Sequence, residues 1–185
     1  MEALFTYFKD LGLSEPDTQA ILSTFQPKVL EKGDHFIQEN QYCKQLAFVE
    51  NGLFQYYLLS DGMERTTYIA TENNFVTSLV SFLKGVPSRE NIRALSDARI
   101  WTITRIQLQQ LMQDIPALKD FYIGLLEWQI GCIDNSRFDL ITLNAEQRYQ
   151  KLLNEEPELL QRIPLQYLAS ILGVTPRHLS RIRGK

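Results

Sequence analysis

Cysteine and histidine are scarce in this chain, and the scarcity removes whole classes of chemistry. Two cysteines, Cys43 and Cys132, stand far apart among 185 residues and form no Cys-x-x-Cys pair. Neither a zinc site nor an iron–sulfur cluster is therefore expected, and two free, buried thiols suit a reducing compartment. His35 and His178 are the only histidines, too few for the metal-ligand set of a jelly-roll enzyme. No nucleophile–base pairing or glycine-rich phosphate loop stands out either. The expectation is a protein with no catalytic residues and no metal. No apolar run approaches membrane-spanning length and no signal peptide precedes the first helix, so the expected location is cytoplasmic, away from any membrane. Internal repeats and low-complexity stretches are absent.

Acidic residues are missing from one end. Residues 161–185 hold Arg162, Arg177, Arg181, Arg183 and Lys185 with no Asp or Glu, a local charge of +5. The other 160 residues therefore carry −8 of a chain whose net charge is −3. An acidic body with a basic tip suits a protein that touches DNA at one end only. With 44% hydrophobic and 22% charged residues, the chain is ordinary globular material, long enough for a real core plus a small second domain.

The pattern runs helix, strands, long helix. Residues 2–9 and 15–26 read as helices, the second capped by Ser14 with Pro16 in its first turn. From Lys28 short strands take over. A turn at Lys32-Gly33-Asp34 precedes a strand from Phe36-Ile37, and strands follow over Gln45–Glu50 and Gly52–Leu59. Asp61-Gly62 marks a hairpin leading into Arg65–Ala70. A further strand pair is expected across Glu90–Leu95 and Arg99–Thr104. So many short strands point to a rolled antiparallel barrel or sandwich. Residues 107–113 form a short helix, and Pro116 opens a long one to about Leu140. That helix is apolar on two flanks, with Leu118, Tyr122, Leu125 and Ile133 on one and Phe121, Trp128 and Cys132 on the other. Two apolar flanks call for two partners, its own barrel and the same helix of a second subunit; a core helix inside a monomer is the alternative. A separate helix over Asn144–Leu153 leads to the C-terminus.

The last twenty-odd residues carry the most information. Leu165, Leu168, Ile171 and Leu172 fall at helical spacing, followed by Val174, Leu179 and Ile182. Ala169 sits where two helices cross closely, and Gly173 where the first must stop and turn. Thr175 is a natural N-cap with Pro176 at the first helical position. Arg177, His178, Ser180, Arg181 and Arg183 then project as donors for phosphates and base edges. The consistency of these features reads as a helix-turn-helix that binds double-stranded DNA.

The order of these parts resembles the Crp/Fnr family of bacterial transcription regulators over almost the whole chain. The resemblance is carried by Phe48-Val49-Glu50-Asn51-Gly52, Ser60-Asp61-Gly62-Met63-Glu64, Asn73-Asn74-Phe75, Arg148-Tyr149 and the C-terminal helices. The stretch Asn144–Lys185 is similar in particular to short members from Bacteroidetes, which end soon after a Leu-Ser-Arg-Ile-Arg sequence. The resemblance implies an α+β fold with three parts. Residues 1–115 would be an antiparallel β-roll (a double-stranded β-helix or jelly roll) with N-terminal helices that senses an effector. Residues 116–143 would be the long dimerisation helix and linker, and residues 144–185 the helix-turn-helix domain. It further implies a homodimer that reads an operator and engages RNA polymerase.

In this family a helix-bearing loop cradles a small effector, often cyclic AMP, through an arginine and a carboxylate. The matching stretch is Phe75–Ala94, and it departs from the pattern. Thr77-Ser78, followed by Leu79, stands where cyclic-AMP binders carry Gly-Glu, and Ser88-Arg89 where they carry Arg-Ser. Arg89, one place along, would point the other way in extended chain. Glu90, followed by Asn91, is a candidate replacement for the lost acid. On the long helix Ile133 and Asp134 fall where the family offers polar contacts to the base. A cyclic nucleotide thus meets a degenerate cassette; the alternatives are another small anionic effector or a packed loop. The Fnr-type cluster is excluded because its cysteines are missing. On the DNA side the resemblance places Arg181 at a base-reading position, with Pro176 and Arg177 at two others. Thr175 and Gln166 would hold phosphates, and His178 and Arg183 are backbone contacts or solvated. No strands follow Lys185 to build a wing, so the recognition helix is expected to fray when unbound. The competing reading is a sensory or scaffold protein that uses its C-terminal helices on another protein.

Overall fold

The computed structural model describes residues 1–184; Lys185 lies outside them. Two N-terminal helices come first, α1 (Glu2–Asp10) and α2 (Glu15–Thr24). Ser14 caps α2, its hydroxyl accepting from the Asp17 N–H at 3.2 Å, with Pro16 in the first turn. The helix expected to reach residue 26 stops at Thr24. Gln26 precedes Pro27, a position that disfavours helical backbone, and instead begins β1 (Gln26–Leu30).

Seven further strands follow: β2 (His35–Ile37), β3 (Gln45–Asn51), β4 (Phe54–Ser60), β5 (Met63–Ala70), β6 (Phe75–Val76), β7 (Asn91–Ala94) and β8 (Ala98–Thr104). They build two four-stranded antiparallel sheets, ordered β1-β8-β3-β6 and β2-β7-β4-β5. β7 and β8, expected as a pair, lie in different sheets: β7 bonds β2 and β4, whereas β8 bonds β1 and β3. The turn between them carries the chain across the roll instead of folding it into a hairpin. Asp61-Gly62 does close the hairpin between β4 and β5, pairing Ser60 with Met63. Gly52, placed in a strand by the sequence, instead turns between β3 and β4 with φ of 112°. A Cβ there would lie 2.5 Å from the Ala98 Cβ, so the roll admits only glycine at this corner.

Leu46, Ala47, Phe48 and Val49 of β3 are all buried. A strand covered on both faces loses its alternation, and here α1 supplies part of the outer cover. The helix-bearing loop contains α3 (Leu79–Lys84); α4 (Arg105–Asp114) follows β8, started by a capping box between Thr104 and Gln107. The long helix α5 (Pro116–Thr142) runs for 27 residues. Leu118 sits in the core of the roll, and Phe121 and Tyr122 pack against that core. These three residues, expected on the flanks of a dimer helix, therefore meet the chain's own roll. Tyr7 of α1 ties the parts together edge-on, its ring 5.4 Å from Phe48, 5.5 Å from Phe75 and 6.0 Å from Phe121. Cys43 is buried, but Cys132 on α5 is only half-buried.

The C-terminal segment holds α6 (Ala145–Glu155), α7 (Pro157–Arg162), α8 (Leu165–Ile171) and α9 (Pro176–Arg183). Its core joins Leu160, Ile163, Leu168, Leu179 and Ile182 to Leu53 and Ile69 of the roll.

Candidate functional site

Two places in the molecule have the shape and chemistry of sites, and β5 touches both. The first is a cavity of about 640 Å³ between the roll and α5, a volume typical of small-molecule sites. The inner strands and α3 bring Leu46, Tyr56, Thr77, Leu79 and Phe82 to one wall. On the opposite wall α5 presents Phe121, Tyr122, Leu125, Trp128 and Ile133, and Tyr68 of β5 closes a side. Tyr56 is fixed rather than mobile: its hydroxyl accepts from the Thr77 N–H at 3.1 Å and faces the Thr77 carbonyl at 3.4 Å. Burial raises both tyrosine hydroxyls, Tyr56 well above and Tyr68 to about 12, so each is a neutral donor near pH 7.

Glu90 is the charged group in this lining. Burial pushes its carboxyl up, and a hydrogen bond with Ser78 works in the opposite direction. Among the described residues no lysine, arginine or histidine lines the cavity. Of the cassette residues singled out by sequence, Thr77, Leu79, Glu90 and Ile133 reach it, whereas Ser78, Ser88, Arg89, Asn91 and Asp134 do not. Ser88 is buried and donates to the Glu90 carbonyl at 2.7 Å, and its hydroxyl lies 3.0 Å from the Ser78 hydroxyl. Asn91 accepts from the Glu39 N–H at 3.0 Å. Those side chains hold the loop together. Arg89 is exposed, and Asp134 pairs with Arg137 at 2.7 Å along α5.

The second place is α9. Gly173, with φ of 67°, turns the chain after α8, and its neighbour Leu172 ends that helix. Thr175 then caps α9, its hydroxyl accepting from the His178 N–H at 3.2 Å, with Pro176 at the start. Leu179 and Ile182 are buried against α8, where Ala169 is fully buried. That leaves Arg177, His178, Arg181 and Arg183 exposed on the outer face, with Gln166 exposed at the start of α8. Arg177 and Arg181 are four residues apart and share this face. Ser180 is also exposed but donates to the Pro176 carbonyl at 3.0 Å.

Arg148 entered the sequence reading only as part of a motif, and the structure gives it a place. Its guanidinium donates to the Leu143 carbonyl at the end of α5 and, at 2.7 Å, to the Leu172 carbonyl at the end of α8. One side chain thereby links the long helix to the α8–α9 turn. A second link reaches the roll: the Thr66 N–H of β5 donates to the Ser170 hydroxyl of α8 at 2.8 Å. Two residues along β5, Tyr68 enters the cavity lining.

Residues 27–114 match the family model described as Cyclic nucleotide-binding domain. Solved structures agree across almost the whole chain. The catabolite activator protein of Thermus thermophilus shares 19% identity and a TM-score of 0.62, over 94% of this chain and 83% of that one. A CooA mutant from Carboxydothermus hydrogenoformans shares 17% identity and a TM-score of 0.74, over 95% and 81%. A protein from Eubacterium rectale, described as a transcriptional regulator of the crp/fnr family, shares 20% identity and a TM-score of 0.68, over 92% and 82%. No curated protein sequence matches the chain. The roll thus matches the cyclic nucleotide-binding domain, and the chain shares its fold with Crp/Fnr-type regulators. Among the described residues no helix is long and apolar enough to cross a membrane.

Proposed function

We propose that this protein is a homodimeric, DNA-binding transcription regulator whose activity is set by a small molecule in the cavity between the roll and α5. The observation that carries the reading is α9. A helix pinned by two buried aliphatic side chains turns Arg177 and Arg181 outward on one face, in the manner of a recognition helix. Gln166 and Thr175 at the two helix starts would hold phosphates, with Arg183 and His178 either adding backbone contacts or staying solvated. Crp/Fnr-type regulators as the structural relatives support the same assignment.

The mechanism is a population shift. A molecule in the cavity touches Tyr68 on β5 and the inner face of α5. Thr66–Ser170 and the two carbonyl bonds of Arg148 join those same elements to α8. Moving either element re-sets the spacing of the two α8–α9 units in a dimer, and so the match to paired half-sites. A cytoplasmic location and contact with RNA polymerase follow from such a role. The dimer seam would be the stripe of Ile123, half-buried Leu126, and exposed Ile130, Ile133 and Leu140, which follow the alternating three- and four-residue spacing of a coiled coil except where Arg137 interrupts it; Leu126 and Ile133 stand at its edge and also line the cavity. It lies beside the flank residues Leu125, Trp128 and Cys132.

Selection of bound duplexes from a random pool, followed by anisotropy titration over a salt series, tests this reading. A selected duplex should bind with an affinity that falls steeply as salt rises, because counterions are released. Absence of binding even at low salt would move the assignment to a sensory or scaffold protein whose C-terminal helices contact another protein.

A further inference from the structure

From the cavity's lining we infer that its ligand is a small organic cation with an aromatic or apolar body, held by Glu90, and not a cyclic nucleotide or other anion. This rests on the reading of the cavity as an effector site and names the chemistry of what enters it.

Charge decides the class. Glu90 is the acid in the lining, and no basic side chain offsets it among the described residues. A cyclic phosphate brought inside would meet a carboxylate in a partly desolvated space with no guanidinium to answer it. Arg89, the nearest arginine in sequence, is exposed and off the lining. The buried Ser78–Ser88 pair and the bond from Ser88 to the Glu90 carbonyl hold that loop as it stands.

The walls suit the rest of such a ligand. Tyr56, Tyr68, Phe121, Tyr122 and Trp128 present rings to the cavity, and ring faces attract cations as well as apolar bodies. The tyrosine hydroxyls are neutral donors and acceptors that tolerate an ammonium group, whereas an anion would lack a charged partner. Burial raises the Glu90 carboxyl, and a cation beside it reverses that effect. Ligand charge and site charge then stabilise each other.

The experiment is a calorimetric titration of the full chain with three probes of one shape, naphthylmethylamine, naphthylmethanol and naphthoate, and with cyclic AMP. The amine should bind about tenfold or more tightly than the alcohol, as a charge-assisted hydrogen bond to a shielded carboxylate implies. Naphthoate and cyclic AMP should not saturate the site. Glu90→Gln should remove the preference for the amine while the alcohol still binds, so the alcohol also reports that the variant is folded. The inference is overturned if the amine does not bind, if an anion binds as well as the amine, or if the preference survives Glu90→Gln. Duplex anisotropy on the same preparations separates the two readings. Amine binding without DNA binding would reject the regulator and keep the site, and DNA binding without amine binding would do the reverse.

Discussion

Arg162 and Glu72 form a two-pronged ion pair, with guanidinium nitrogens 2.7 and 2.8 Å from the two carboxylate oxygens. The pair fastens the end of α7 to the turn after β5, and Glu72 also accepts the Gly52 N–H at 3.0 Å. These donors, Arg162 foremost, hold the Glu72 carboxyl down to about 2 from its ordinary 4.5.

A carboxyl depressed on folding adds stability that is complete above its unfolded value and disappears as pH falls through the folded one. The contribution of this pair should therefore be intact at neutral pH and vanish between about pH 4.5 and about pH 2. The Arg162 side chain is 44% exposed, so solvent screening leaves the pair about 1 kcal/mol. Urea unfolding across that range should show Arg162→Ala less stable than the parent at pH 7 and equal to it at the acid end. An unchanged difference at both ends would show that Glu72 does not titrate against Arg162.

Arg148 joins two helix ends, and its substitution should act locally. Arg148→Met retains much of the apolar stem but leaves the Leu143 and Leu172 carbonyls without their guanidinium donor. A loss of about 1.5–3 kcal/mol is expected, as for hydrogen bonds to a charged group. Arg148→Lys should not restore it, because an ammonium group cannot span two divergent carbonyls as a fork does. Hydrogen exchange should localise the loosening to α8 and α9. Uniform loosening through the roll would contradict this placement.

Gly52→Ala tests the corner between β3 and β4. The added methyl would lie 2.5 Å from the Ala98 Cβ in a left-handed backbone. Both effects destabilise, and together they should cost about 2 kcal/mol or more. Thermal unfolding measures it; a variant as stable as the parent would mean that the corner relaxes freely.

What could be read from the sequence depended on whether the cause was local. The cap at Ser14, the hairpin at Asp61-Gly62, the turn at Gly173 and the start of α9 at Thr175-Pro176 each follow from residues within one turn of chain. Elements whose cause is distant were harder. β6 has two residues and α7 six, too few to show a period, and tertiary contacts hold them. The crossing of β7 and β8 into different sheets depends on partners far off in sequence, such as Tyr57 for Asn91 and Gln45 for Thr104. The cavity was legible in Thr77, Leu79, Glu90 and Ile133. Tyr56 and Tyr68 were visible only as strand residues, because period-2 alternation tells which residues share a face but not which face closes on a helix. Arg148 offered no signal of its bonds, since carbonyl partners leave no mark in side-chain chemistry.

The stripe on α5 predicts the assembly. Ile130 and Ile133 are 64% and 53% exposed in the single chain, more than isolated surface aliphatics on an otherwise polar helix would explain. Ile130→Glu should leave the fold intact, since the side chain makes no core contact, and should turn a dimer into a monomer by sedimentation velocity. A parent chain that is monomeric at micromolar concentration, or an Ile130→Glu variant that remains dimeric, would remove the stripe as the seam.

Arg181 is the sharpest test of the DNA reading. It shares the outer face of α9 with Arg177 and, among the described residues, forms no ion pair that would occupy its guanidinium. A planar fork in the major groove recognises guanine through two acceptors. Arg181→Ala should therefore weaken binding to a selected duplex by about 1–3 kcal/mol and relax preference at one base pair in each half-site. A phosphate contact behaves differently: Arg183→Ala should weaken all duplexes alike and reduce the slope of affinity against salt by about one counterion. Anisotropy titrations against the selected duplex and its single-base variants separate the two. If Arg181→Ala lowered affinity uniformly and left sequence preference intact, Arg181 would be a backbone contact, and the reading face of α9 would have to be assigned to other residues.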